Sequence, residues 1–454
     1  MTQRSDERKK DAACTSVLAE WISSVENTDI SARAWESARH VMLDWTAVAI
    51  AGSSEPLVRL LVDEYGEAGD LPCSLLAGGG RSRPLEASLI NGSAGHALDF
   101  DDVSSSMYGH PSVPVAPAAL ALAQVERASG RDLLLAMIVG HEIESRVGAM
   151  MGESHYRHGF HATGTIGTLG AAAACAKLKK LDASKTAHAL GLAATQAAGL
   201  KCMFGTMAKP FHAGKAAMNG LMAAQLAARG FTATDSAIEC VQGFARTQAT
   251  QINSIPEFID TREGFAIERT LFKYHASCYL THSTIEAIRL LRQKHALNLC
   301  DLAAMTIVVP DDHRGVCDLE NPRTGLNVKF SIKHLAALTL HGANTAALDL
   351  YSTETALDKR LINARECITL KFVDSREYKD AFVSIVTPDG REFTANSNVA
   401  IPASDLEAQW DRLVDKAKSI AKPVLGPPRF KNFVEAIAKL DREPSLQPLF
   451  EAIQ

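Results

Sequence analysis

The segment Gly164-Thr-Ile-Gly-Thr-Leu-Gly-Ala-Ala-Ala-Ala-Cys-Ala-Lys-Leu-Lys-Lys180 carries small residues on several helical faces, and this pattern decides the fold. Between positions 161 and 230, 21 of 70 residues are alanine, a strong helix former that also lets helix backbones approach closely. The pattern therefore predicts a buried helical core. Its helices are expected at Val115–Ala128, Gly130–Met150, Gly164–Lys180, Ala183–Leu200 and Gly214–Arg229.

The overall composition agrees with a helical protein. The chain has 454 residues, about three times the usual domain length, which predicts two or three domains. Hydrophobic residues make up 46% and charged residues 22%, so global disorder is excluded. Aromatic residues make up only 6%, which favours close-packed helices over a β-sandwich. A net charge of −5 gives no basic surface for nucleic acid, so no nucleic-acid partner is expected.

The pattern changes after about residue 267. Short β-branched runs then alternate with helical segments, and Pro388-Asp389-Gly390 has the chemistry of a hairpin turn. The predicted strands are Met305–Val309, Cys367–Val373, Ala381–Thr387 and Arg391–Ala395, and the predicted helices are Ser283–Lys294 and Ile332–Leu340. We expect a mainly α fold with a helical domain over residues 1–267, against which 398–454 pack, and a smaller α+β domain over 268–397.

Several features predict a cytoplasmic location. The first ten residues are polar, and no apolar segment of a secretory signal follows them. The longest uncharged stretches, such as Ala187–Leu200, are too short to span a bilayer, so no membrane partner is expected. Nine cysteines are irregularly spaced without a CxxC pair, which indicates reduced thiols rather than a disulfide framework.

The densest polar cluster is His96-Ala-Leu-Asp99-Phe-Asp101-Asp102, followed by His110-Pro111-Ser112. Carboxylates beside imidazoles serve as bases, as groups that orient a base, or as metal ligands. An ordinary turn at a helix junction is the competing interpretation. The spacing matches no known metal-ligand pattern, so no metal site is predicted.

Two further clusters precede alanine-rich helices. In His155-Tyr-Arg-His158-Gly-Phe-His161-Ala-Thr163, the histidines either share one helix face or belong to a loop that brings His161 and Thr163 to a helix N-terminus, where a carboxylate binds well. In Gly205–Lys215, Lys209 and His212 form a positive helix entry suited to a small polyanion. A solvated helix start is the alternative.

The fourth cluster extends from Lys273 to His282. Cys278 and His282 have the i, i+4 spacing of a nucleophile and base, although a buried structural cysteine explains the pattern as well. The chain lacks the GxSxG, Walker A and GxGxxG motifs, which argues against a serine hydrolase, a P-loop NTPase and a classical nicotinamide dehydrogenase.

Taken in chain order, these motifs resemble those of the MmgE/PrpD family. The first cluster, with the preceding Asn91-Gly92, resembles the most diagnostic family motif, and the resemblance extends over about residues 30 to 400. The other segments that carry it are Gly159–Gly164, Met207–Gly214, Lys273–His282 and Lys329–Ser331. The family includes 2-methylcitrate dehydratase, cis-aconitate decarboxylase and iminodisuccinate epimerase.

The resemblance implies a helical domain built from both chain ends, a smaller α+β lid, a homodimer, and neither metal nor organic cofactor. It places Asp99, His110, His161 and Lys209 on the family's active-site positions, and Lys273 at the edge of the lid.

The chain also departs from the decarboxylase pattern. Val103, Cys278 and His334 stand where the decarboxylases have threonine, histidine and tyrosine. The spacer Val103–Gly109 and the segment around Cys278 are more similar to the epimerase.

We therefore expect a 2-methylcitrate dehydratase-like lyase that removes a proton next to a carboxylate of a small di- or tricarboxylate. His161 is the predicted proton-transfer group, Asp99 orients His161 or His110, and Lys209 takes part in catalysis. The predicted substrate-binding residues are Thr163, His212, Lys273, Arg323 and His334. The alternatives are an epimerase of a substituted succinate, a cis-aconitate decarboxylase and a non-catalytic polyanion-binding protein.

Overall fold

The structure is a computed structural model that describes residues 14–66, 69–76, 80–253, 259–374 and 380–453. Within these ranges the protein is mainly helical, with one four-stranded sheet, which confirms the predicted fold class. No helix in the described ranges is long and apolar enough to cross a membrane.

The helices and strands are numbered here in chain order over the described residues. The helices are α1 Cys14–Ser24, α2 Ala32–Gly52, α3 Pro56–Tyr65, α4 Pro84–Ala97, α5 Ser112–Glu126, α6 Gly130–Arg157, α7 Ala162–Leu178, α8 Ala183–Ala194, α9 Ala208–Ala228, α10 Phe244–Gln248, α11 His282–His295, α12 Gly325–Val328, α13 Ile332–His341, α14 Thr353–Leu357, α15 Lys359–Glu366, α16 Leu406–Ile420, α17 Lys422–Leu425, α18 Pro427–Ala438 and α19 Gln447–Ile453. The strands are β1 Cys73–Ser74, β2 Arg81–Ser82, β3 Ala304–Pro310, β4 Ile368–Val373, β5 Ala381–Val386 and β6 Glu392–Ser397.

The chain divides into two compact units. The first contains Met1–Phe272 and Ala403–Gln454, and the second contains Lys273–Pro402. Among the described residues of the first unit, the regular structure is helical apart from the short antiparallel pair β1–β2. Its centre is formed by α4, α5, α7 and α9, and almost every residue of α7 is buried. The predicted alanine-rich core is therefore confirmed.

Small residues set the distance between the central helices. A Cβ atom on Gly214 of α9 would lie 2.1 Å from the Leu89 carbonyl oxygen of α4, and one on Gly92 of α4 would lie 2.7 Å from the Gly214 Cα. Neither position tolerates a side chain without moving a backbone. This close crossing matters for function because α4 ends beside His96 and α9 begins beside Lys209.

The caps explain where several helices begin. Ser31 and Asp182 accept hydrogen bonds from the Ala34 and Lys185 amides, as expected for N-cap residues. Helix α6 continues to Arg157, seven residues beyond the predicted end at Met150, and two other boundaries differ from prediction by six residues. Helix α9 begins at Ala208 rather than Gly214, since Pro210 fits in a first turn, where its missing N–H breaks no hydrogen bond.

Helix α8 also differs from prediction, since it ends at Ala194 instead of Leu200. The chain beyond it pairs with a distant segment: the His161 amide donates to the Gly199 carbonyl oxygen at 3.0 Å, and Lys201 donates to Gly159 at 2.8 Å. This long-range backbone pairing overrides the helix propensity of the alanines.

The second unit is an α+β structure. Its sheet has the order β4-β3-β5-β6, with β3 parallel to β4 and the other pairs antiparallel. The predicted hairpin turn is confirmed, since the Thr387 amide donates to Arg391 at 2.9 Å and Gly390 has a φ of 84°. Buried residues of β3, β5, α11 and α13 form its core.

Candidate active site

The chain turns sharply after α4, and this turn carries three carboxylates. The Asp99 amide donates to the His96 carbonyl oxygen at 3.1 Å, which closes the helix end. Asp99 has a φ of 50°, in the left-handed region, where aspartate is among the residues best tolerated. As a result, Asp99 is half-exposed, whereas Asp101 and Asp102 point into the protein interior and are fully buried.

Asp101 is the buried centre of the cluster. Its carboxylate accepts a hydrogen bond from His96 Nδ1 at 2.9 Å and lies 3.1 Å from His110 Nδ1. Burial by itself raises the pKa of Asp101, but the adjacent His110 and His96 imidazoles outweigh burial and hold the pKa below its ordinary value. Burial lowers the pKa of His96 to about 4, with Asp101 opposing. At neutral pH, Asp101 is therefore a carboxylate and His96 a neutral imidazole that donates from Nδ1.

Lys209 supplies positive charge at the open side of the cluster. Its Nζ donates to Asp99 Oδ1 at 2.7 Å, and His110 Nε2 lies 3.5 Å from the same oxygen. Burial lowers the pKa of Lys209, but the pairing with Asp99 outweighs burial, so the pKa lies above its ordinary value. Lys209 is therefore a fixed cation at neutral pH.

His161 stands immediately before α7, at the N-cap position, and is 2% exposed. Its Nδ1 lies 3.2 Å from His212 Nδ1, and its ring stacks on that of His96 with a centroid distance of 5.7 Å. Burial, reinforced by His96 and Lys209, lowers the pKa of His161 far below its ordinary value. His161 is thus a neutral imidazole in the same cluster as the Lys209 cation.

Thr163 connects the two histidine segments. Its hydroxyl accepts a hydrogen bond from the His110 amide at 3.0 Å, so the first turn of α7 holds the loop that carries His110. Gly109 is required for this approach, because a Cβ atom there would lie only 3.0 Å from both the Thr163 amide nitrogen and its hydroxyl oxygen. The Phe204 ring covers the edge of His161 at 5.0 Å and lies 5.3 Å from Lys209 Nζ.

The arrangement is suited to proton transfer beside a carboxylate. A neutral His161 can accept a proton, while Lys209 and the positive end of α7 can stabilise the negative charge that develops on the substrate. The Asp101 carboxylate orients both His96 and His110 from the buried side.

One group of ligand atoms in the described residues has the spacing of a metal site. Its members are His96, Asp99, Asp101 and His110, whose ligand atoms lie within 4.8 Å of one another. The Lys209 ammonium already neutralises Asp99, and the two imidazoles already contact Asp101. A cation would therefore compete with existing partners of the carboxylates.

The structure brings six of the predicted site residues into one cluster of the first unit: Asp99, His110, His161, Thr163, Lys209 and His212. The other three belong to the second unit. Lys273 is buried there, Arg323 is exposed, and the buried His334 has its Nε2 atom 3.1 Å from the Thr355 carbonyl oxygen.

Three residues at the site were missing from the predicted set: His96, Asp101 and Phe204. His96 and Asp101 lie in the polar cluster that the sequence analysis identified, and their separation of five residues across a helix end was the available signal. No sequence signal indicated that Phe204 contacts His161.

Both units match models of one protein family. The MmgE/PrpD N-terminal domain matches residues 16–253, and the MmgE/PrpD C-terminal domain matches residues 275–442. The cis-aconitate decarboxylase-like protein oryM of Aspergillus oryzae is 28% identical over an aligned length of 472 residues, gaps included, and the alignment covers 97% of this chain and 97% of that protein. Cis-aconitate decarboxylase of Aspergillus terreus is 26% identical over an aligned length of 488 residues, gaps included, and the alignment covers 100% of this chain and 98% of that protein. Human cis-aconitate decarboxylase is 32% identical over 169 residues, 36% of this chain and 35% of that protein.

Proposed function

Because this chain belongs to the MmgE/PrpD family, we propose that it is a lyase acting on a small di- or tricarboxylate by moving a proton next to a carboxylate. The observation that carries the proposal is that the His161 ring and Lys209 Nζ both lie against the Phe204 ring, at 5.0 and 5.3 Å from its centre, with His161 neutral and Lys209 cationic. Lyase names among relatives matched over nearly their whole length add support.

In the proposed mechanism, Lys209 and His212 bind the substrate carboxylates at the positive end of α7. His161 transfers the proton at the carbon next to a carboxylate, and Lys209 stabilises the enediolate that forms. Asp99 fixes Lys209 and, with Asp101, orients His110, which donates or accepts the second proton. The reaction uses side-chain acids and bases without a cofactor. Substrate contacts from Lys273, Arg323 and His334 stay predictions.

Three reactions of this chemistry are candidates. Dehydration of a 2-methylcitrate-like hydroxy acid is the first, since it needs only one base and an acid for the leaving hydroxyl. Decarboxylation of cis-aconitate is the second, supported by the names of the relatives. Epimerisation of a substituted succinate is the third, supported by the epimerase-like spacer Val103–Gly109 and the segment around Cys278.

A substrate panel tests the proposal. Citrate, 2-methylcitrate, cis-aconitate and aminosuccinate analogues are incubated with the enzyme and followed by proton NMR and ultraviolet absorbance. Dehydration forms an alkene, decarboxylation releases carbon dioxide, and epimerisation changes only optical rotation. His161→Ala and Lys209→Ala should each reduce turnover by about 10²–10⁴-fold, whereas Lys215→Ala on the same helix should not. Near-normal turnover in both folded site variants would reject the assignment.

We also propose that the protein is a cytoplasmic homodimer. The location is supported by the state of the nine cysteines, all of which are free thiols. The dimer is supported by the family resemblance. Light scattering coupled to gel filtration distinguishes a dimer from a monomer of 48.7 kDa.

A further inference from the structure

A buried lysine from the C-terminal part of the chain reaches the turn that carries the site carboxylates. Lys416 lies on α16, and its side chain is 1% exposed. Its Nζ lies 2.6 Å from Asp44 Oδ1 of α2 and donates to the Phe100 carbonyl oxygen at 2.7 Å. The ammonium also lies 4.1 Å from the centroid of the Phe100 ring.

The carbonyl that Lys416 binds belongs to the residue between two site carboxylates. Asp99 precedes Phe100 and pairs with Lys209. Asp101 follows Phe100 and contacts the imidazoles of His96 and His110. Asp99 has left-handed backbone angles, so this short segment is outside regular structure and its buried carbonyl has no helical partner. A buried carbonyl needs a donor, and a charged donor holds it more firmly than a neutral one.

The electrostatic setting makes Lys416 costly to bury without a specific use. Burial lowers the pKa of Lys416, and Asp44 opposes that effect. Burial likewise raises the pKa of Asp44 to about 6, with Lys416 opposing. Ion pairs of this kind add little net stability compared with well-packed apolar residues, so stability alone does not account for it.

We propose that Lys416 is a positioning residue, which fixes the Phe100 carbonyl and thereby the directions in which the Asp99 and Asp101 carboxylates face Lys209, His96 and His110. The role in turnover rests on the proposed function. The role in geometry does not, because the orientation of the imidazoles can be observed without substrate.

The experiment compares Lys416→Met, the paired variant Asp44→Leu/Lys416→Met and the control Lys418→Met, whose side chain lies exposed on the same helix. The single variant leaves a buried carboxylate unpaired and is expected to be unstable. The paired variant removes both charges, and we expect it to fold, as judged by circular dichroism and a cooperative urea transition.

Two readouts then separate positioning from folding. Long-range ¹H–¹⁵N NMR of ¹⁵N-histidine protein should show a changed tautomer or titration for His96 and His110 in the paired variant, and wild-type signals in Lys418→Met. With a substrate from the panel, kcat should fall by about 10- to 100-fold while KM changes less than about threefold, as expected when a charged hydrogen bond that orients a catalytic group is lost.

Wild-type histidine signals in the folded paired variant would overturn the proposal, whether or not a substrate has been found. A paired variant that does not fold would assign Lys416 to folding alone and would also overturn it. Altered histidine signals with no turnover by the wild-type enzyme on any panel compound would support the positioning role and reject the proposed function.

Discussion

Replacing Asp101 by asparagine is the sharpest perturbation of the candidate site, because it removes one charge and almost no volume. The wild-type carboxylate accepts from His96 Nδ1 at 2.9 Å and contacts His110 Nδ1 at 3.1 Å. An asparagine has one oxygen to accept a hydrogen bond and presents an NH₂ group on the other side. Both Nδ1 atoms contact Oδ2, and His96 Nδ1 also lies 3.0 Å from Oδ1, so the NH₂ group faces the His96 N–H in either orientation of the amide. His96 must then turn or change tautomer.

The size of the effect follows from the contact that is lost. A hydrogen bond to a charged group contributes about 1.5–3 kcal/mol, and the one that His96 donates to the Asp101 carboxylate is lost. If that free energy serves to orient the imidazoles, kcat should fall by about 10- to 150-fold. KM should change little, because the fully buried Asp101 is shielded from the substrate.

The assay combines steady-state kinetics on the best panel substrate with histidine NMR. Asp63→Asn, an exposed site on α3, is the matched control and should leave both readouts unchanged. A folded Asp101→Asn protein with wild-type kcat and unchanged His96 and His110 tautomers would refute the reasoning that the buried carboxylate orients the two imidazoles.

Three further predictions concern stability and metal dependence. Gly214→Ala should destabilise the protein by about 1–3 kcal/mol or more in urea unfolding, because its Cβ would lie 2.1 Å from the Leu89 oxygen. The control Gln225→Ala on the same helix should have little effect. Equal stability of the two variants would contradict the close helix crossing. In the folded protein burial lowers the pKa of His141 to about 4, whereas its ordinary value of 6.5 holds in the unfolded chain. As the pH falls below 6.5, the unfolded chain therefore binds a proton at His141 before the folded protein does. Folding stability of roughly 3 kcal/mol that is present above pH 6.5 is lost towards pH 4. The stability difference between wild type and His141→Gln should shrink over that window, and a constant difference would count against this linkage. Dialysis against EDTA should leave turnover unchanged, and loss of activity that Mn²⁺ or Zn²⁺ restores would show that the His96–His110 ligand group holds a metal.

The helical core was predictable because its cause is local. Small residues recur at helical spacing through Gly164–Lys180, and that pattern alone requires close packing whatever the partners are. Strands and the hairpin turn followed from β-branched runs and from Pro388-Asp389-Gly390. The end of α8 was not predictable, because it depends on a backbone hydrogen bond between His161, which precedes α7, and Gly199, which follows α8.

The site shows the same division between local and distant causes. Each polar cluster was visible in the sequence, because its members lie within about fifteen residues. Which clusters meet was not visible from spacing: Lys209 pairs with Asp99 across 110 residues, and Lys416 reaches Phe100 across 316. The pKa directions also depend on tertiary structure, since burial lowers the pKa of His161 in the folded protein, while the pairing with Asp99 keeps Lys209 charged despite its burial.

Deuterium incorporation tests the central claim most directly, since that claim is proton transfer by His161 next to a substrate carboxylate. The enzyme is run in D₂O on the panel substrate that it turns over, and the product or recovered substrate is analysed by NMR and mass spectrometry. With the wild-type enzyme we predict deuterium at the carbon next to the carboxylate in an epimerised or decarboxylated product. For dehydration, whose product gains no hydrogen at that carbon, we predict it in the substrate that reforms by the reverse hydration. Folded His161→Ala should lower the rate of incorporation by about 10²–10⁴-fold. An epimerised, decarboxylated or rehydrated compound without deuterium at that carbon, or wild-type incorporation by His161→Ala, would contradict the account.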